Sequence, residues 1–438
     1  MDLKWGWICL IIALCLRILV HGVIHSYGVF LANFSREIED TKVATLAWVG
    51  AVAYGVVETG TPIALILVRK IGARNTVVIG VLAASTGLYL SGIAGNPRQL
   101  FFTYSLLTGS GMLLMNKPVF FLLDKYFPRD HEYHVLTTSV PRWSNSLGPL
   151  LFNPLSAALI GRIGWNMTFV TYGTLYLLVG GAGAYCIRDA PEATQEEAQE
   201  DTKDQRRHGE SKLTESTGMF VVVCAGLLFF AAVFCWAFVV FDPTFILVKH
   251  METLGFHEST GAFAVTVFSA SDLVGRILIT LPSDKLVKGR IVYLSAVCCF
   301  LLGIQNFFMG FSTGYALVLS YAIMAGFTTG LMGALKFPLC DEIMDGHYTH
   351  ELFALSGLAS GTALILGIVA AGEIFDTTGS YQTVFFLELG AFWMAALAFG
   401  AIVMLRNKVL RKSLPNTDEK MPLVASGQIL EVPSTPVI

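Results

Sequence analysis

The chain has 438 residues, 54% of them hydrophobic and only 14% charged, with a net charge of -3 and a mean hydropathy of +0.63. A soluble domain carries roughly 25% charged residues, so water is not the main solvent of this chain. The slightly negative total gives no global basic field for nucleic acid, and charge placement becomes the informative quantity.

Crossing a hydrocarbon core of about 30 Å takes about 20 apolar residues in a helix. Such runs recur at roughly 6–31, 44–67, 76–95, 99–123, 134–160, 165–187, 218–248, 260–281, 290–311, 314–339, 352–375 and 382–405. The expectation is an all-α membrane protein with twelve transmembrane helices. The first run, Trp5 to Leu31, is longer than a signal-peptide core and has no small-residue cleavage site after it, so it is expected to remain as a span. The one long polar stretch between spans, Arg188 to Thr217, divides them six and six. The expected organisation is a six-helix bundle over 1–187, a cytoplasmic linker over 188–217, a second bundle over 218–405 and a disordered cytoplasmic tail over 406–438.

Alternate connections carry the basic residues: Arg69, Lys70 and Arg74, then Lys125 and Arg129, then Lys285, Lys288 and Arg290, then Arg406, Lys408, Arg411 and Lys412. By the positive-inside rule both termini are expected in the cytoplasm. The eight cysteines lie in or beside apolar runs without metal-ligand spacing or a disulfide framework, and read as reduced packing residues. There is no Gly-Lys-Ser/Thr phosphate loop, zinc-protease signature or nucleophile elbow, so neither ATP-driven work nor an enzyme is expected, and no cofactor or metal is implied.

The two halves echo one another. The turn after span 2 reads Val-Arg-Lys-Ile-Gly-Ala-Arg (68–74) and that after span 8 reads Ser-Asp-Lys-Leu-Val-Lys-Gly-Arg (283–290). Spans 4 and 10, equivalent under a six-plus-six pseudo-repeat, hold Asn116-Lys117-Pro118 and Lys336-Phe337-Pro338. Repeats with a midplane site between them are a transporter plan. The paired basic turns resemble those of major facilitator proteins, although the first lacks the usual Asp. The opening Asp2-Leu3-Lys4-Trp5-Gly6-Trp7 resembles that of the monocarboxylate transporter family. Tyr27-Gly28-Val29-Phe30, Lys125-Tyr126-Phe127, Gly164-Trp165, Asp272-Leu273-Val274-Gly275-Arg276 and Asp341-Glu342-Ile343-Met344-Asp345 follow in that family's order. The resemblance covers about residues 2 to 405. It implies the major facilitator fold, a plasma-membrane location and, for the lactate branch, a single-span chaperone whose surface nothing here marks. Two departures stand out: Thr137 to Arg142 replaces a small-residue helix start, and His25 replaces the family's first-span lysine.

Ionisable side chains at bilayer depth are costly and usually face a cavity or a partner. The basic ones are Arg17, Lys117, Arg142, Arg276 and Lys336, with His21 and His25 titratable; the acidic ones are Glu58, Asp242, Asp272, Glu373 and Glu388. Asp242 and Arg142 lie near span ends and weigh less. Asp272 and Arg276 are four apart and share a helix face, as a structural ion pair or as a pair that opens when a carboxylate arrives and lets Asp272 take a proton. The resemblance implies the second reading. Lys117 and Lys336 either pair with Glu58, Glu373 or Glu388, or form an electropositive centre for an anion. His25 is either a packing residue or a cavity imidazole titrating near physiological pH.

The leading expectation is a uniporter or proton-linked symporter for a monocarboxylate or related small organic anion, with His25, Lys117, Arg276 and Lys336 binding substrate. Asp272, His25, Glu58 and Glu373 are the candidates for proton coupling and gating. The alternatives are a zwitterion facilitator, such as one for amino acids, in which Glu58 or Glu373 meets the ammonium while Arg276 meets the carboxylate, and a non-transporting sensor on a transporter fold.

Overall fold

A computed structural model describes residues 3–37, 43–188, 212–239, 247, 250–344 and 348–413, and every regular element among them is helical. Asp242 and most of the expected linker and tail lie outside these residues. Among the described residues nine helices are long and apolar enough to cross a membrane, and the bent pair Trp48–Thr59 and Thr61–Gly92 makes a tenth. Two of the ten each contain two spans. Thr61–Gly92 reverses at Gly72 (φ 83°, ψ 164°) and Ser144–Leu175 at Gly164 (φ 78°, ψ 165°), in a backbone region open essentially to glycine alone. Twelve spans result.

The later spans are Lys212–Val239, Glu258–Thr280, Ile291–Met309, Tyr315–Ala334 continued by Lys336–Met344, Thr349–Thr378 and Gln382–Ser413. Helix therefore begins six residues before the expected second bundle and continues past the expected end of span 12. The basic residues near Arg406 extend that helix rather than a coil.

The pseudo-repeat shows in the backbone. Positive-φ glycines turn the chain after spans 2 and 5 (Gly72, Gly164) and after spans 8 and 11 (Gly289, Gly379). Close approaches repeat as well. Span 5 meets span 1 at Gly148 and Gly22, as span 11 meets span 7 at Gly367 and Phe238. Span 4 meets span 2 at Gly109 and Ala53, as span 10 meets span 8 at Gly326 and Gly330. Small residues let membrane helices pack backbone to backbone where no hydrophobic effect draws them together.

At the end bearing the basic turns the halves are pinned together. Arg69 pairs with Glu351, His350 Nε2 lies 2.7 Å from Asp124, and Arg129 lies 3.3 Å from Asp341. Asp284, in the basic turn after span 8, accepts the Val135 and Leu136 amides at 2.8 and 2.9 Å and so satisfies the exposed N-terminal donors of span 5.

Candidate functional site

Above this seam the two halves enclose a cavity of about 300 Å3, lined from spans 1 and 5 on one side and spans 7, 8 and 10 on the other. Span 8 runs from cavity to seam: Phe268, Asp272 and Arg276 face the cavity, and Asp284 lies in the seam beyond the helix end at Thr280. What seats span 8 is span 10, for a Cβ at Gly330 would overlap the Asp272 carbonyl and one at Gly333 would press on the Arg276 guanidinium.

The expected pair is formed. Arg276 donates from Nε to Asp272 Oδ2 at 2.8 Å and from Nη2 to Oδ1 at 3.0 Å, a two-pronged grip. The pair is also a bridge between halves, since Ser146 on span 5 donates to Asp272 and accepts from Arg276 Nε at 3.1 Å. Ser146 escaped the sequence analysis, although the polar run Ser144-Asn145-Ser146 inside an apolar span was a readable signal.

Lys117 and Lys336 sit at breaks in spans 4 and 10 beside Pro118 and Pro338, and both are buried. They converge on Glu58 of span 2: Lys117 Nζ lies 2.6 Å from Oε1 and Lys336 Nζ 3.8 Å from Oε2. Lys336 also donates to Ser360 at 2.6 Å. None of these three charged residues is among those lining the cavity. Glu373 is exposed near the end of span 11 and is not brought to this cluster. His25 does line the cavity, its ring 5.9 Å from that of His21 and 5.2 Å from that of Tyr54. About two turns from His25, Arg17 donates to the Pro141 carbonyl at 2.8 Å and to Asn145 at 3.0 Å, fastening span 1 to the start of span 5.

Arg142 is placed differently from what its position in the sequence suggested. The segment Val140–Trp143 is a 3-10 turn that continues into Ser144–Leu175, so Arg142 is carried into the cavity wall rather than left at a span end.

The model of the Major Facilitator Superfamily matches residues 13–362. The chain belongs to that superfamily. Its members are secondary transporters and not enzymes, so this chain is a multi-pass membrane transporter. The chain is 26% identical to monocarboxylate transporter 13 of Rattus norvegicus, over 90% of its own length and 88% of the relative's. It is 25% identical to monocarboxylate transporter 6 of Homo sapiens (91% and 80%) and 23% identical to monocarboxylate transporter 2 of Homo sapiens (90% and 84%). The resemblance read from the motifs thus holds along the chain. Among solved structures, the proton:xylose symporter XylE bound to 6-bromo-6-deoxy-D-glucose superposes with a TM-score of 0.68 at 13% identity, covering 93% of this chain and 96% of that one. A double-tryptophan XylE variant gives 0.69 at 15% identity, over 95% and 97%. At such identities the likeness is one of fold, and the major facilitator fold accounts for the twelve spans in two repeats and for the cavity between them.

Proposed function

We propose that this transporter moves a small organic monocarboxylate across the plasma membrane, with Asp272 carrying a coupled proton and both termini in the cytoplasm. The observation that carries the reading is the Asp272–Arg276 pair in the cavity wall, bound to Ser146 of the other half. An incoming carboxylate competes with Asp272 for the guanidinium. Once displaced, the aspartate is a buried carboxylate without its cation, which favours taking up a proton. A neutral Asp272 no longer holds Ser146 as a charged acceptor, and the bond between the halves weakens. Binding thereby promotes the rocking of one bundle against the other. The seam lies at the basic, cytoplasmic end, so the cavity is served from outside while the seam is closed.

The names of the relatives support the substrate class. The zwitterion reading needs a second carboxylate for the ammonium. Among the described residues lining the cavity the carboxylate is Asp272, already gripped by Arg276, while Glu58 is occupied by two lysines. Uptake of a panel of radiolabelled monocarboxylates by the full-length protein in proteoliposomes, at about pH 6 and about pH 8, spans the range in which a coupled proton is felt. Saturable uptake, faster with an inward proton gradient and not competed by amino acids, is expected. Absence of saturable uptake of any organic anion would refute the reading.

A further inference from the structure

We propose that the substrate carboxylate is held by Arg142 of the first half as well as by Arg276, and that the Trp236 indole N–H takes a second acceptor on the same substrate. This rests on the transport reading above and narrows its substrate class.

The buried cations of the midplane are otherwise provided for. Arg17 has the Pro141 carbonyl and two asparagines, Lys117 has Glu58, Lys336 has Ser360 and Glu58, and Arg276 has Asp272. Arg142 is only 7% exposed, yet its Nε is buried with no acceptor and its side chain donates to no described residue. Two ring faces flank its guanidinium: the carbon lies 5.1 Å from the Phe120 ring centroid and 5.7 Å from that of Phe353. Ring faces hold a cation in place without neutralising it or using its N–H donors. A desolvated guanidinium with unused donors is costly unless an acceptor arrives. Arg142 and Arg276 line one cavity, with Arg276 Nη1 3.5 Å from the Arg142 carbonyl oxygen. Together with Asp272 they leave one net positive charge in the described wall, which suits a monoanion. A carboxylate shared between the two guanidinium groups would tie one half to the other.

Trp236, on span 7, supplies the second anchor, for it lines the same cavity and its Nε1 is buried without an acceptor. The wall also presents Val29, Pro149, Val265 and Phe268, which offer apolar contact and no competing acceptor side chain. The substrate is therefore a monocarboxylate with an apolar body and a hydrogen-bond acceptor away from the carboxylate. A cavity of about 300 Å3 falls at the small end of the range for organic ligands, about 300–1,000 Å3.

The test uses purified full-length protein, titrating para-acetylbenzoate, whose ketone is a distal acceptor, and para-isopropylbenzoate, its near-isostere without one. Wild type should bind the ketone more tightly. Arg142→Gln should lose about 10- to 100-fold in affinity for both acids, the loss of hydrogen bonds to a charged group. Trp236→Phe should lose about two- to tenfold for para-acetylbenzoate and nothing for para-isopropylbenzoate. If Arg142→Gln does not fold, Arg142→Lys decides, since it keeps the charge but not the two-pronged donor. A loss of about tenfold with lysine supports the assignment, and unchanged affinity overturns it. Wild-type affinity for both acids in Arg142→Gln overturns the anion seat. Equal loss of both acids, or of neither, in Trp236→Phe overturns the second anchor. Saturable monocarboxylate uptake by Arg142→Gln at wild-type affinity would sink this inference and leave the transport reading standing. A wild type that neither binds nor carries any carboxylate sinks both.

Discussion

At the scale of single residues, the two charged clusters make opposite demands. Arg276 grips Asp272, a carboxylate that a substrate replaces in the proposed transport cycle. Arg276→Ala is therefore expected to lower initial uptake by about 10- to 100-fold, the worth of hydrogen bonds to a charged group, while surface expression persists because Asp272 can be protonated once its partner is gone. Asp272→Asn should slow net flux more than binding, and equal rates of net flux and exchange in that variant would speak for a structural pair. Glu58 is the inverse case, one carboxylate serving two buried lysines. Glu58→Gln should destabilise the protein by about 3–5 kcal/mol, the cost of breaking a buried ion pair from one side. Adding Lys117→Met should recover part of that loss, as read by thermal unfolding in detergent. The Asp272–Arg276 pair was legible from its spacing of four on one helix, and Glu58 was among the partners expected for the lysines. Arg142 was discounted as lying near a span end, whereas the structure winds the chain through a 3-10 turn there and on into the helix. Glu373 looked equally embedded in an apolar run, but sequence depth does not say which face of a helix a carboxylate is on.

Among the elements, the site depends on how closely span 10 lets span 8 approach. Gly330→Ala should abolish uptake and lower the melting temperature, because even a methyl group there meets the Asp272 backbone. Gly390→Ala on span 12 is the matched control. Its Cβ would meet nothing within 4 Å, and the exchange should be neutral or stabilising by up to about 1 kcal/mol. If both variants transport normally, the tight crossing does not position the pair. Twelve spans and their division were readable because twenty-residue apolar runs are the strongest signal a membrane chain emits. The spans within Thr61–Gly92 and Ser144–Leu175 were separable in sequence by the charges between them, and in the structure each pair is parted at a single glycine in a non-helical conformation. Which helix pairs touch was not legible, since close approach requires a glycine on each crossing and glycines recur throughout the spans.

For the molecule as a whole, the seam at the basic end keeps one entrance shut. Asp284→Ala combined with Asp341→Asn removes a helix cap and the Arg129 partner together. Cys340, fully buried one turn after Lys336, reports on that entrance. Its labelling by a membrane-impermeant maleimide added at the basic end should accelerate in the double variant. A labelling rate equal to wild type would mean that these contacts do not hold the entrance.

Glu58 also bears on how fast the halves can part. Its carboxylate is closer to the lysine of its own half than to that of the other, 2.6 against 3.8 Å, and Lys336 keeps Ser360 as a companion on its own side. When the bundles separate, each therefore leaves with its charge already attended, and the activation barrier need not include stripping an ion bare in a low-dielectric interior. The junction works as a clutch: torque passes while the faces touch, and release costs little. In the proposed cycle, turnover is expected to follow the seam and the substrate, with the buried triad adding little to its temperature dependence.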